Sequence, residues 1–141
     1  MLRLRPWIAS VLLVLVAAGV AGTRASADQA MEGRTYFMRY CASCHGMEAD
    51  GHGFVARALA HPPSDLRHLG DRYGTPLPAD RLARFIDGRE AVTAHGEREM
   101  PVWGERFDDI KAKGAAREKV VRERIAAIVA YLILIQAGAQ Q

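Results

Sequence analysis

Two cysteines and a histidine lie within five residues of one another, and no other pattern in this chain restricts its fold as strongly. Cys41 and Cys44 are three positions apart, His45 follows at once, and the chain contains no further cysteine. The spacing C-x-x-C-H is typical of the site at which a c-type haem is attached covalently. Each thiol would form a thioether with one haem vinyl group, and the imidazole would bind one face of the iron. The motif therefore predicts a chain that folds around covalent haem c, with His45 as a ligand of its iron.

Other uses of a C-x-x-C pair fit this sequence less well. A dithiol redox site would follow a strand in a βαβ unit, and the sequence contains no such pattern. A structural zinc site needs a second pair of ligands at conventional spacing, and an iron–sulfur cluster usually takes four cysteines. A disulfide within the motif would close a strained loop and leave His45 without a role. Haem attachment accounts for all three residues.

The beginning of the chain has the composition of a secretory signal peptide. Two arginines precede an uncharged, mostly aliphatic run over 8–22, and small residues stand at 25–27, where a signal peptidase acts. The run is shorter than the roughly 20 residues that cross a bilayer comfortably. We therefore expect a signal peptide over 1–27, export to the periplasm, and one mature domain over 28–141. An uncleaved leader that anchors the chain in the membrane is the alternative.

Removal of this leader changes the charge balance. The whole chain has 19 Lys+Arg and 16 Asp+Glu, and the leader contains three arginines and no acidic residue. The remaining chain thus has equal numbers of basic and acidic residues, so its charge does not indicate a nucleic-acid partner. Attraction to a protein partner must depend on local patches of charge.

Apolar periodicity predicts helices and no strands, so the predicted class is all-α. Helices are expected over about 28–41, 79–87 and 115–135. The last has the most regular apolar stripe, which consists of Val121, Ile125, Ile128, Leu132 and Ile135. Residues 46–78 are rich in glycine and proline and are expected to be irregular apart from a helical turn around 54–59. Such a long irregular segment is typical of one that wraps a cofactor.

Iron that exchanges electrons without a change of coordination needs a second axial ligand, and Met100 is the candidate. Pro101 stiffens the loop behind its thioether, and its position leaves enough chain to pass round the edge of a haem ring. His95 is the alternative, because Met47 is too close to His45 to reach across. The remaining histidines are expected to be solvated. A role for Met100 in core packing alone also stays open, since methionine fills gaps in cores readily.

With these residues identified, the chain resembles the class I c-type cytochromes, which hold one haem through histidine and methionine. The residues that match family positions in the first and last helices are Gly33, Phe37, Ile128, Tyr131 and Leu132. The block Met-Pro-Val-Trp-Gly over 100–104 is similar to bacterial members, and the similarity covers nearly all of 28–141. It implies a cytochrome c fold with crossed N- and C-terminal helices around a covalent haem. Gly33 would lie against Ile128 and Tyr131 at the crossing.

The resemblance also implies the surroundings of the haem. The carbonyl of Pro62 or Pro63 would accept a hydrogen bond from the second nitrogen of His45, which would fix the ring and raise its basicity as a ligand. Pro63 and Trp103 are thus expected in the haem pocket. Trp103 would contact a propionate, together with an arginine such as Arg98, or would take part in ordinary core packing.

These features predict a single-haem electron carrier and not an enzyme. It would pass one electron at a time between a redox protein donor and an acceptor, in a respiratory chain or a periplasmic oxidoreductase. Two alternatives stay open: a cytochrome c subunit of a larger membrane oxidoreductase or oxidase complex, and a haem enzyme or sensor with an open sixth iron site. The attachment motif near the mature N-terminus differs from class II cytochromes, which place it near the C-terminus. The charged loop over 104–114 could be a solvated spacer or a contact with a partner, and a spacer is expected.

Cleavage of the leader predicts the N-terminus of the mature protein. The exported protein is expected to begin at Asp28 and to have the mass of residues 28–141 with one haem, as checked by intact-mass spectrometry. Ala27→Leu replaces a small residue at the cleavage site and is expected to leave the leader attached. A haem-loaded wild-type chain that retains residues 1–27 would contradict cleavage and support the membrane anchor.

Overall fold

A computed structural model describes residues 26–88, 100–107 and 109–136, and every regular element within these ranges is a helix. The longer helices are α1 over 26–40, α2 Ala42–His45, α3 Leu69–Tyr73, α4 Ala79–Asp87, α5 Trp103–Arg106 and α6 Gly114–Leu134. Single 3₁₀ turns lie at Ala56–Ala58 and Leu66–His68. The all-α prediction is confirmed. In this described part of the chain, no helix has the length and apolarity needed to cross a membrane.

The helices predicted from apolar periodicity lie where the pattern placed them. Helix α4 ends at Gly88, whose φ of 87° lies in the left-handed region that favours glycine. Four members of the predicted stripe of α6 are buried, and Ile135 is partly buried against them. On the solvent side, Glu118 and Arg122 form the expected pair four residues apart, at 3.7 Å. The amphipathic pattern thus decides which face of α6 turns inward.

Helices α1 and α6 touch through their backbones. A Cβ built on Gly33 would collide with the backbone carbonyl of Ala127 and lie 3.0 Å from the amide nitrogen of Ile128. One turn further along α1, the buried ring of Phe37 packs on Tyr131, with ring centroids 5.3 Å apart. The predicted crossing of the terminal helices is confirmed. At the crossing, Gly33 lies closest to Ala127 and then to Ile128, whereas Tyr131, the other expected partner of Gly33, contacts Phe37.

The segment 46–78 has more regular structure than its composition predicts. The expected turn is present at Ala56–Ala58. In addition, the 3₁₀ turn at Leu66–His68 leads directly into helix α3, and neither of these two elements was expected. A side chain from the far end of the chain stabilises this part. The amide of Gln136 accepts from the N–H of Gly70 at 3.1 Å and donates to the carbonyl of Leu66 at 2.8 Å. Such support from a residue beyond the end of α6 is not visible in the local sequence.

The loop over 104–114 is only partly a solvated spacer: most of its described residues are exposed, but two of them make contacts that the prediction did not include. Phe107 is 1 % exposed and is one of the largest fully buried side chains. Asp109 forms an ion pair with Arg124 of α6, with 2.6 Å between Oδ1 and Nη1. The charged residues on both sides of Phe107 are the reason why the sequence predicts a solvated loop. In fact the loop places an aromatic ring in the interior and a carboxylate against a buried arginine.

The contact between α1 and α6 predicts a stability effect at Gly33. Gly33→Ala is expected to lower the free energy of unfolding of the haem-loaded protein by about 1–3 kcal/mol, since an added Cβ forces two backbones apart. This loss exceeds the gain in helix propensity that alanine brings elsewhere, which is about 1 kcal/mol. Denaturant unfolding measures the effect. Arg34→Ala, at the exposed neighbouring position of α1, is the control and is expected to change stability by less than about 0.5 kcal/mol. Equal effects of the two variants would contradict close backbone packing at Gly33.

Candidate functional site

A cavity of about 490 Å³ lies between the helices, with walls drawn from α1, α2, α4, the start of α5, α6 and the segment 59–73. Its lining is mostly apolar. The buried residues that line it are Phe37, Cys41, Leu69, Leu82, Ile86, Ile128 and Leu132. Cavities of this size and lining are typical of sites that enclose a small molecule or cofactor.

The structure brings every predicted site residue that it describes to this cavity. The lining includes Cys41, Cys44, His45, Pro63, Met100 and Trp103. These residues come from three separate segments of the chain, so the sequence spacing alone does not bring them together. The alternative ligand His95, the arginine Arg98 and most of the predicted leader lie outside the described residues.

The attachment motif continues the direction of α1 through one further helical turn. The N–H of Cys41 donates to the carbonyl of Phe37 at 2.8 Å, and the N–H groups of Cys44 and His45 both donate to the carbonyl of Cys41, at 3.1 and 2.9 Å. Residues three and four apart in a helical turn share one face. The turn therefore directs both thiols and the imidazole toward the same cavity.

The two thiols are free and are not joined to each other. Burial, with a smaller contribution from Cys44, raises the pKa of the Cys41 thiol to about 12. Cys41 is thus a neutral thiol as long as it is free, unlike the low-pKa thiolate of a redox dithiol. Among the described residues, no group of three or more His, Cys, Asp or Glu side chains is arranged to hold a metal ion. The high pKa of the Cys41 thiol therefore does not favour the dithiol interpretation of the motif.

His45 is oriented by a backbone carbonyl one residue beyond the predicted ones. Its Nδ1 lies 3.0 Å from the carbonyl oxygen of Ser64, not of Pro62 or Pro63. The carbonyl of Pro63 instead faces Gly51, where a built Cβ would lie 2.6 Å from it. Because successive carbonyls of an extended segment point to opposite sides, the next one is directed at the imidazole. Pro63 itself lines the cavity, as expected.

The protonation state of His45 follows from this contact. A carbonyl only accepts, so Nδ1 must carry the proton and Nε2 keeps its lone pair. Burial lowers the pKa of His45, and the hydrogen bond to the Ser64 carbonyl offsets part of that shift. The ring is therefore neutral at physiological pH, in the tautomer that leaves Nε2 available as a metal ligand.

Met100 and Trp103 line the cavity from the segment 100–107. Met100 is partly buried and packs against the core cluster. The Trp103 ring lies 5.7 Å from Tyr40 and 6.2 Å from Phe107, centroid to centroid. Trp103 thus takes part in core packing and also lines the cavity, so contact with a cofactor and packing are not exclusive roles for it.

The remaining candidate ligands are mostly turned toward solvent. Met47 is 66 % exposed, and His52 and His68 are exposed beside Asp50 and Asp71. His61 is also exposed, but it lies at the rim of the cavity and lines it.

Sequence reasoning did not identify two cations of the cavity wall. Arg72 of α3 and Arg81 of α4 line it, and no carboxylate does so among the described residues. The guanidinium of Arg81 also lies over the ring of Tyr73, 5.1 Å from its centroid. No local motif marks either arginine. Their position depends on how α3 and α4 pack around the cavity.

Comparison with protein families identifies the class of this domain. Residues 28–132 match the family model described as cytochrome c oxidase, cbb3-type, subunit III. The chain belongs to this family. It is a c-type cytochrome domain that attaches haem c covalently and transfers electrons, and the predicted resemblance to class I cytochromes holds at this level. Searches of curated proteins and of solved structures gave no match.

The residues of the cavity fit covalent haem. The two thiols, the neutral imidazole and the thioether are the donor groups that c-type cytochromes use. The apolar walls suit a large apolar macrocycle, and the two arginines that line the cavity suit a group that carries negative charge. The donor set and the charge of the lining point to the same group.

Proposed function

We propose that this chain is an exported electron carrier in which Cys41 and Cys44 hold the haem and His45 and Met100 bind its iron. It passes single electrons between a donor and an acceptor of a respiratory complex and catalyses no reaction of its own. The observation that carries the proposal is the meeting of the attachment motif and the Met100 segment at one apolar cavity.

Each residue of the proposed site has a physical task. Haem c supplies a reversible one-electron change at its iron, and the protein sets the energy of that change. His45 is fixed in one tautomer by the Ser64 carbonyl, which raises its basicity as a ligand. As an iron ligand, the thioether of Met100 would favour the reduced iron and raise the reduction potential relative to a second histidine. Together, His45 and Met100 would keep the coordination unchanged when the iron gains or loses an electron.

The cavity walls supply the rest of the environment. Leu82, Ile86 and Leu132 exclude water and give a low local dielectric, which strengthens electrostatic interactions inside the site. Arg72 and Arg81 provide positive charge that balances carboxylates of a bound haem. This arrangement needs no nucleophile and no proton transfer, which supports a carrier.

A place in an oxidase complex is a second candidate, favoured by the description of the matching family. Cytochrome c domains are typically exported, and the periplasm is the compartment we propose for this one. Purification from native membranes in mild detergent separates the two cases. A stable complex that contains this chain supports the subunit, whereas recovery in the soluble periplasmic fraction supports a free carrier.

Met100→Ala tests the proposed axial ligand. The wild type is expected to be low-spin in both redox states and to show the weak long-wavelength band of an iron–sulfur bond when oxidised. Met100→Ala is expected to lose this band, bind carbon monoxide readily when reduced, and have a lower reduction potential. Met47→Ala is the matched control, since Met47 is close in sequence to His45 but exposed. An unchanged spectrum in Met100→Ala would exclude Met100 as the ligand.

Gly51→Ala tests the support of His45, with Gly74→Ala as its control. Both glycines have positive φ, 84° and 87°, so both variants are expected to lose about 1–2 kcal/mol of stability from backbone strain. Only at Gly51 does an added Cβ push on Pro63, whereas nothing lies within 4 Å of one at Gly74. We expect a further loss of about 1–3 kcal/mol in Gly51→Ala, by denaturant unfolding of the loaded protein.

The same two variants separate fold from function. Displacement of the 63–64 backbone weakens the bond between His45 and the Ser64 carbonyl, so the imidazole donates less charge to the iron. The reduction potential, measured by redox titration, is therefore expected to rise in Gly51→Ala and to stay unchanged in Gly74→Ala. Equal potentials in both variants would contradict the role of this hydrogen bond.

A further inference from the structure

Two arginines of α6 bind the part of the chain that follows Met100. Arg117 and Arg124 are seven residues apart, about two helical turns, so they lie on the same side of α6. Both contact what we call the anchored segment, residues 103–107 and 109, which begins three residues after Met100. Neither arginine belongs to the proposed haem site.

Arg117 holds the backbone of the anchored segment. Its Nη1 donates to the carbonyl of Gly104 at 2.9 Å, and its Nη2 donates to the carbonyls of Glu105 and Phe107 at 3.3 and 3.4 Å. Carbonyls in the last turn of a helix such as α5 lack partners within the helix. One guanidinium therefore fixes the end of α5 and the residue after it.

Arg124 holds the same segment through a side chain. It is 8 % exposed, and its Nη1 and Nη2 donate to the two carboxylate oxygens of Asp109 at 2.6 and 3.3 Å. Its Nη1 also donates to the hydroxyl of Tyr40 at 3.2 Å. The guanidinium carbon lies over the rings of Tyr36 and Phe107, 4.6 and 4.8 Å from their centroids. The hydrogen bonds from Arg124 are the main cause that lowers the pKa of Asp109 to about 2, so this carboxyl group is ionised at physiological pH.

An ion pair formed by a buried arginine needs an explanation other than stability. Apolar side chains of similar volume often stabilise an interior as well or better, because a buried charge such as that of Arg124 loses its hydration. In addition, the buried Nε of Arg124 has no hydrogen-bond partner among the described residues. The pair does, however, join elements in one fixed geometry.

The elements that Arg124 joins are two walls of the cavity. Tyr40 directly precedes Cys41 and lines the cavity on the side of the attachment motif. Phe107 packs on Tyr40 and Trp103, with centroids 5.0 and 6.2 Å apart, and Trp103 lines the cavity on the side of Met100. The guanidinium thus connects the wall that holds the cysteines with the wall that presents the thioether.

We propose that Arg124, through Asp109 and Phe107, is a positioning residue that keeps the Met100 thioether at the iron and so limits how often the sixth position opens. The inference rests on the proposed function, because it requires Met100 to be a ligand. Arg117 acts in the same direction through the backbone.

Imidazole is the probe for the open state. It binds oxidised iron only when Met100 has left, so its apparent affinity is proportional to the fraction of open molecules. In Arg124→Met, we expect imidazole to bind at least about tenfold more tightly than in the wild type, in a spectroscopic titration of the haem-loaded protein. Arg122→Met is the matched control on the same helix, since Arg122 is 60 % exposed and pairs with Glu118. Its imidazole affinity is expected to equal that of the wild type.

Asp109→Asn tests the route from Arg124 to the segment. It removes one charge of the pair and is expected to tighten imidazole binding in the same direction. The double variant of Arg124→Met and Asp109→Asn is expected to add little, since both changes break one interaction. Arg124→Lys retains the charge but not the two parallel hydrogen bonds, and is expected to restore only part of the wild-type behaviour. If Arg124→Met fails to fold with haem, the imidazole affinities of Asp109→Asn and Arg117→Met are the test, and both variants are expected to bind imidazole more tightly than the wild type.

A general loss of stability is separated by Gly74→Ala, which is expected to lose about 1–2 kcal/mol through backbone strain at a glycine that does not line the cavity and has nothing within 4 Å of an added Cβ. Its imidazole affinity is expected to stay at the wild-type value. Unchanged imidazole binding in folded Arg124→Met and Asp109→Asn would overturn the positioning role. Failure of the proposed ligand gives a different result, because imidazole would then bind the wild type as tightly as it binds Met100→Ala.

Discussion

The backbone contact between α1 and α6 determines where the rest of the molecule lies. Gly33 lets the carbonyl of Ala127 approach so closely that no side chain fits between the helices. This crossing fixes the end of α1, and thereby Cys41 and the turn that follows it. It also fixes which part of α6 faces inward, so that Ile128 and Leu132 line the cavity that the attachment motif faces. A small residue at one position thus sets the geometry of two walls.

The crossing alone does not close the site. The segment 59–73 and helix α4 complete the walls, and their positions depend on contacts with α6 and with the attachment motif. Gln136 holds the backbone at Leu66 and Gly70, while the N–H of Gly51 donates to the carbonyl of His45 at 2.8 Å. The orientation of His45 follows, because the segment held near Gly51 directs the Ser64 carbonyl at its ring. The imidazole is therefore prepared as a ligand by the backbone and not by an acidic side chain.

How much the sequence predicts depends on the range of each interaction. The motif at 41–45 and the periodic helices are local patterns, and both the all-α fold and the helix boundaries follow from them. The Ser64 carbonyl was missed by one residue because the choice among successive carbonyls depends on the contact between Gly51 and Pro63. Helix α3 was missed because support from Gln136 comes from the other end of the chain. Arg72 and Arg81 likewise line the cavity only through the packing of their helices.

The ion pair between the buried Arg124 and Asp109 restrains the segment that follows Met100. Departure of Asp109 would leave a guanidinium that is 8 % exposed without its carboxylate, which is unfavourable for a buried charge. An opening that extends to Asp109 is therefore penalised. Phe107 stacks on Trp103 and lies beneath the same guanidinium. It therefore transmits the restraint to Trp103 in the cavity wall. In the proposed site, electron exchange with unchanged coordination would require such a restraint, since every departure of the Met100 thioether would interrupt it. The charged loop after Met100 would then act on the redox site from outside the cavity.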